Sequence, residues 1–254
     1  LKYNDTGIGV FTPGGGKLML ELAIISMESL SMTAVIDTFI APPCHEKIDI
    51  LFQDESILLI NKPSGLLSLS GKNPLNKDSV HYRLVQQFPT ALMVHRLDFG
   101  TSGVMVVALN KAVNAELTKQ FQARTIVKHY VSVLEGHLRD DEGEISFPIA
   151  KNKAHFPLQK ICMQTGKSAI SHFRVLARLQ NPLRTRVGFM PVTGRTHQLR
   201  VHSEKIGHPI LGCDLYGNEG THAMASRLLL HATRLEFDHP ITAERMVGTC
   251  EAAF

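Results

Sequence analysis

Cysteine is scarce in this chain of 254 residues, and its four copies, Cys44, Cys162, Cys213 and Cys250, lie far apart with no CxxC pair. That spacing offers neither a zinc-finger ligand set nor a disulfide framework, and it suits a reducing cytoplasm. Long apolar runs are missing as well. The stretch from Leu18 to Met32 is broken by Glu21, Glu28 and several serines, so no segment reaches the roughly eighteen residues that a spanning helix needs. A secretory leader would show a basic start and a small-residue cleavage site, and none is expected here. Net charge is low too. The formal value is +4, a mild basic bias that permits a polyanionic partner without demanding one. Histidine is plentiful, but its thirteen copies show no HExxH or similar spacing, so no catalytic metal is expected.

What is present has ordinary globular proportions. Hydrophobic residues make up 44% and charged residues 20%, enough apolar material for a sizeable core. Residues 1–45 differ from the rest, with glycines at Gly14 to Gly16 and Pro42-Pro43 at the close. They are expected to form a partly ordered N-terminal extension, followed by one domain over residues 46–254. The runs Ile48 to Phe52 and Ile57 to Ile60 predict two short strands around a turn at Gln53 to Ser56. Asp78 is placed to cap a helix that carries Val80, Leu84, Val85 and Phe88 and ends at Pro89. Gly103 to Leu109 predicts a buried strand, and Asn110 caps a helix with Val113, Leu117 and Phe121 on one face. Tyr130 to Leu134 reads as strand and Asp140 to Gly143 as an acidic hairpin tip. The alternation around Phe173 to Leu179 and Leu183 to Phe189 predicts a hairpin turning at Asn181-Pro182. A short helix is expected from Thr193-Gly194 and a strand over Leu228 to Leu235. Helices and strands mix without βαβ alternation, which argues for an α+β fold.

Three segments are dense in polar residues that a core would not choose. They are His95 to Gly103 ahead of the buried strand, Lys128-His129-Tyr130 entering the next one, and Thr193 to His202. Each residue has a plain structural alternative. Asp98 can be a turn residue or cap, Tyr130 a strand aromatic, and Arg200 one more arginine on a basic face.

Taken together the segments say more. The string HRLDFGTSG at 95–103 closely resembles the signature of the RluA family of pseudouridine synthases. Asn61 to Leu66 (NKPSGL) resembles the family's upstream segment, and KHYVSVLEG at 128–136 its K-x-Y strand. TGRTHQLRVH at 193–202 with GHPILG at 207–212, and RLLLHA at 227–232, resemble two further blocks. The likeness runs in order over residues 46–254. One departure stands out: where the family usually has Gly-Asp, this chain has Gly212-Cys213, with Asp214 one place later. Residues 1–45 also lack the basic character of the S4-type RNA-binding domain that many relatives carry.

The resemblance implies a mixed, largely antiparallel central sheet with flanking helices. It implies an RNA-modifying isomerase that converts uridine to pseudouridine in structured ribosomal RNA, transfer RNA or both, flipping the base out of its stack. Asp98 would be the essential carboxylate, Tyr130 would pack on the target base, and Arg200 would pair with Asp98. Arg96 would displace or hold the base, and His95, Lys62, Thr101, Arg195, His197 and Leu229 would complete the RNA-contacting set. Lys151 and Lys153, in a loop continued by Lys160 and Lys167, are a candidate grip on phosphates, the alternative being a solvated basic loop. Neither metal nor organic cofactor is implied, since the reaction is redox-neutral. A monomer in the cytoplasm, with no membrane and no obligate protein partner, is expected. Two rivals are a silent RNA-binding or chaperone protein on the same fold and a metal-dependent hydrolase using the histidines. Tritium release from carbon-5-labelled RNA separates the first from an isomerase, and chelation tests the second.

Overall fold

The computed structural model describes residues 39–254, so most of the expected extension lies outside the described residues. Its described end is not separate from the domain. The Ala41 N–H donates to Asn76 Oδ1, Asn76 Nδ2 donates to the Phe39 carbonyl, and Arg83 donates to the carbonyls of Cys44 and Glu46. The folded body therefore takes in residues from Phe39 onward, upstream of the boundary expected at 45.

The first half holds β1 (Asp49–Gln53), β2 (Ile57–Lys62), α1 (Val80–Leu84), β3 (Leu92–Met93), β4 (Ser102–Ala108), α2 (Lys111–Ala123) and β5 (Val127–Glu135). Next come β6 (Glu142–Ser146), the small hairpin of β7 (Ile149–Lys151) and β8 (Gln159–Ile161), then β9 (Ile170–Leu179) and β10 (Arg184–Pro191). Helices α3 (Gln198–Lys205) and α4 (Glu219–Ala223) precede β11 (Leu230–Asp238) and β12 (Arg245–Thr249). The main sheet runs β1-β2-β4-β11-β5-β10-β9-β6, with β12 beside β11 and β3 beside β4. Among the described strands only β4 and β11 pair in parallel. The fold is thus α+β with a mixed, largely antiparallel sheet, as the sequence implied.

Local chemistry explains most of the elements. Asp54 Oδ1 accepts from the Ser56 and Ile57 amides and turns β1 into β2. Every residue of β4 is buried, as its unbroken apolar run requires. Asn110 caps α2 by accepting from the Val113 amide, and Val113 and Leu117 face the core. Elsewhere the structure departs from expectation. Ser79, not Asp78, caps α1, because Asp78 is engaged by Arg83, and the helix ends at Leu84. Residues 140–143 are not a hairpin tip: β6 pairs with β9, where Arg174 meets Glu142 and Arg178 meets Asp141 across the edge. Helix α3 starts at Gln198, four residues later than expected at Gly194. Residues before it form a turn in which Gln198 Oε1 accepts from Thr193 Oγ1 and the Arg195 amide.

Two apolar clusters fill the body. One gathers Leu58, Ile60, Val104, Val106, Leu117 and Phe237, and the other Leu134, Val187, Phe189, Val201 and Ile210. Tyr130 packs against both. It marks the seam where the functional residues collect.

Candidate active site

Asp98 sits in the loop that enters β4, and the segment after β2 clamps that loop. Lys62 Nζ donates to the carbonyls of Pro63 at 2.8 Å, Leu66 at 2.7 Å and Phe99 at 3.2 Å. Ser64 Oγ donates to the Gly100 carbonyl at 2.7 Å, and Ser68 Oγ donates to the Leu97 carbonyl while accepting from the Leu97 amide. The residues on both sides of Asp98 are thereby held by NKPSGL and its continuation. On the far side, Gly103 has φ +117, and a Cβ there would stand 2.2 Å from the Ala232 carbonyl oxygen. Only glycine lets the loop enter β4 this close to β11. Arg227 donates to Ser102 Oγ, which bonds His231 Nδ1 at 2.7 Å. That joins the RLLLHA block to the aspartate loop.

The Asp98 carboxylate is partly exposed at the side of a cleft of about 280 Å³. Arg200 Nη1 lies 3.9 Å from its Oδ2 and His197 Nε2 lies 3.9 Å from its Oδ1. Arg200 is 3% exposed, and its firmest carboxylate contact is elsewhere: it donates to Asp214 Oδ1, and its Nε donates to Cys213 Sγ at 3.4 Å. The expected pair with Asp98 is therefore loose, and Asp214 takes the main share of the guanidinium. Burial opposes the charge on Arg200, but Cys213, Asp98 and Asp214 outweigh it and raise its affinity for the proton. Tyr130 lines the cleft near Leu230. Burial, then Asp98, pushes its phenol well above the ordinary range, so it stays neutral.

The remaining sequence candidates divide. Arg96 is exposed at the rim and Arg195 lines the cleft with its Nε on the Ser168 carbonyl. Thr101 also lines the cleft, 2% exposed, with an Oγ1 that has no hydrogen-bond partner among the described residues. Lys62 is a correction. It is fully buried and its ammonium is spent on carbonyls, so it braces the loop and does not reach RNA. Burial lowers it to about 7, with Asp98 opposing. His95 does line the cleft. Its Nε2 accepts from the Val106 amide, its ring stacks on Phe121 at 4.7 Å, and burial with Lys128 nearby lowers it to about 3. It lines the cleft as a neutral ring, not as a cation. Leu229 is not among the residues that line the cleft, where Leu230 stands, and its backbone bonds Leu211, Val133 and Ser132.

Lys151, Lys153, Lys160 and Lys167 are all exposed on or beside the β7–β8 hairpin. Tyr216 was not foreseen. Its hydroxyl lies 2.7 Å from His197 Nδ1 and accepts from the Gln159 amide at 2.8 Å. The signal for it was the block GCDLYG, where a buried polar aromatic follows the Arg200 partners. Among the described residues no three His, Cys, Asp or Glu side chains converge as metal ligands.

Known proteins resemble this chain in sequence and fold. Residues 56–205 match the family model described as RNA pseudouridylate synthase. The chain is 50% identical over 205 residues to the dual-specificity RNA pseudouridine synthase RluA of Yersinia pestis, covering 81% of this chain and 99% of that protein. It is 44% identical over 213 residues to the protein of that name from Escherichia coli K12, covering 84% and 97%. The solved structure of human RNA pseudouridylate synthase domain containing 1 superposes with a TM-score of 0.70 at 30% identity, covering 84% of this chain and 86% of that one. With the motif blocks meeting around one cleft and these likenesses spanning most of the chain, the protein belongs to the RluA family of RNA pseudouridine synthases and is an isomerase.

Proposed function

We propose that Asp98 carries the chemistry, and that the substrate is a uridine in the stem-loops of ribosomal and transfer RNA. The observation that carries this reading is the Asp98 carboxylate, set between Arg200 and His197 beside a cleft of about 280 Å³ that Tyr130 also lines. The cleft suits a single nucleoside, so a paired uridine must first leave its stack, at a cost of a few kcal/mol. The reaction breaks the bond from uracil nitrogen 1 to the sugar and forms one from carbon 5. Carbon 5 loses a proton and nitrogen 1 gains one, so no oxidant, metal or organic cofactor enters the balance. Asp98 acts either as nucleophile at the sugar carbon or as base on a sugar proton. Either role needs the anion, and the buried Arg200 keeps that charge from standing alone.

Tyr130 offers a flat neutral ring to the detached uracil and keeps it in place while it turns. Arg96 at the rim and the exposed lysines of the β7–β8 hairpin supply phosphate contacts that offset the flipping cost. The dual-specificity names of the relatives support action on more than one RNA here. No helix among the described residues is long and apolar enough to cross a membrane. The test is tritium release from carbon-5-tritiated uridine in a transfer RNA transcript and a ribosomal stem-loop. Release from both is expected. Tight binding without release from either would make the protein a silent RNA binder.

A further inference from the structure

Tyr216 follows closely on the GHPILG stretch, and it touches both partners of Asp98. Its hydroxyl is 2.7 Å from His197 Nδ1, and the Arg200 guanidinium sits 5.3 Å from its ring centre. The His197 and Tyr216 rings meet edge to face at 5.6 Å. The backbone of His197 adds a separate sign of purpose. It is left-handed, φ 55 and ψ 19, at the N-cap of α3, and its side chain makes no capping bond. Ser, Thr, Asn or Asp would cap this helix better, and a histidine with positive φ is held there by its surroundings. The imidazole is turned to Tyr216 on one side and Asp98 on the other.

The hydrogen bonds order the protons. A phenol O–H lies in the plane of its ring, leaving one favourable in-plane direction for accepting and one for donating. The Gln159 amide can only donate, and it takes the accepting direction at 2.8 Å. The Tyr216 O–H is thereby left to donate to His197 Nδ1. An imidazole that accepts at Nδ1 carries its proton on Nε2. Nε2 is the nitrogen that faces Asp98 Oδ1, at 3.9 Å.

We propose that Tyr216 is a positioning residue: it locks His197 into the tautomer with the proton on Nε2, so that an N–H faces the Asp98 carboxylate. The other tautomer would aim a lone pair at an anion. Burial, aided by Arg200 and Arg96 and opposed by Asp98, lowers the proton affinity of His197, so the ring orients the carboxylate as a neutral donor. The 3.9 Å separation closes when the base enters, as such contacts commonly tighten with substrate bound. Gln159 opens β8, the strand that carries Lys160 and pairs with the one carrying Lys151. The proposed phosphate grip is therefore joined to Asp98 through Gln159, Tyr216 and His197.

This inference rests on Asp98 doing the chemistry, but its first test needs no RNA. Nitrogen-15 NMR of histidine-labelled protein reads the tautomer directly, with the His197 signals identified by their loss in His197→Gln. The wild type should show the proton on Nε2, and Tyr216→Phe should show both tautomers. The single-turnover rate of Tyr216→Phe at saturating RNA should fall about tenfold, with RNA affinity within about twofold. In a His197→Gln background, Tyr216→Phe should cost nothing further, because the effect passes through the imidazole. A wild-type proton on Nδ1, an unchanged rate in Tyr216→Phe, or a full additional loss in the double variant would each overturn the proposal. An enzyme with no isomerase activity on any RNA would instead strike the functional reading, leaving the tautomer result to stand or fall alone.

Discussion

Tyr130 shows how much a single side chain can be asked to do. Its phenol is kept neutral by burial and by Asp98, so it is a poor proton acceptor, and its ring lines the cleft. Stacking on a base is worth about 1–3 kcal/mol, so the ring should matter more than the hydroxyl. Tyr130→Phe is expected to keep at least about a tenth of wild-type turnover, while Tyr130→Ala falls by a further tenfold or more. A phenylalanine variant as inactive as the alanine one would show that the hydroxyl moves a proton. Arg200 carries a different lesson. A shared guanidinium, close to Asp214 and looser on Asp98, should tolerate loss of the outer acid. Asp214→Asn should lower turnover only several-fold, because Arg200 stays charged and can turn toward Asp98. Inactivation as complete as that of an Asp98 variant would mean that Asp214 shares the chemistry.

Among the elements, the turn after β2 and the β7–β8 hairpin have separable duties. Lys62 fastens the Asp98 loop from inside, with three carbonyls on one buried ammonium. Replacing it by Met leaves those carbonyls without a donor, each at a cost of about 1–3 kcal/mol, so Lys62→Met should destabilise by about 3 kcal/mol or more. Urea unfolding checks this, and a change below about 0.5 kcal/mol would contradict the clamp. The hairpin should act on binding instead. Replacing Lys151, Lys153 and Lys160 by Ala should make the slope of log affinity against log salt shallower by about 2–3 units. The rate at saturating RNA should change little. A slope equal to wild type would reduce the hairpin to solvated surface. Arg174 and Arg178 are poor substitutes for that grip, since Glu142 and Asp141 already neutralise them.

At the scale of the whole molecule, buried histidines tie stability to pH. His95, His197, His202 and His231 are all lowered from 6.5, burial being the largest cause in each. Below pH 6.5 the unfolded chain takes up protons at these rings before the folded chain does. The unfolded state then binds more protons, so stability falls as the pH drops. The urea midpoint should be lower at pH 5.5 than at pH 7.5, and an equal or higher midpoint would contradict the assignment of neutral rings. The same scale shows what could be read in advance. Alternating apolar residues gave away β9, β10 and their turn, and Asn110 gave away the start of α2, because those signals are local. The parallel contact of β4 with β11 and the edge position of β6 were not legible, since each depends on a partner far along the chain. The burial of Lys62 was not legible, since lysines are rarely buried and only the assembled turn supplies its acceptors. The motif blocks located Asp98, Tyr130 and Arg200, whereas the contacts of Tyr216 with Gln159 and His197 took shape only when the hairpin and α3 were brought together.

The central claim is that isomerisation depends on the Asp98 carboxylate. Its most direct test is tritium release from carbon-5-tritiated uridine RNA by Asp98→Asn, with RNA affinity measured alongside. The substitution keeps the shape and removes the charge. Release should drop below detection while affinity falls by less than about tenfold, or roughly 1.4 kcal/mol. An Asp98→Asn protein that still releases tritium at a tenth of the wild-type rate would contradict the account.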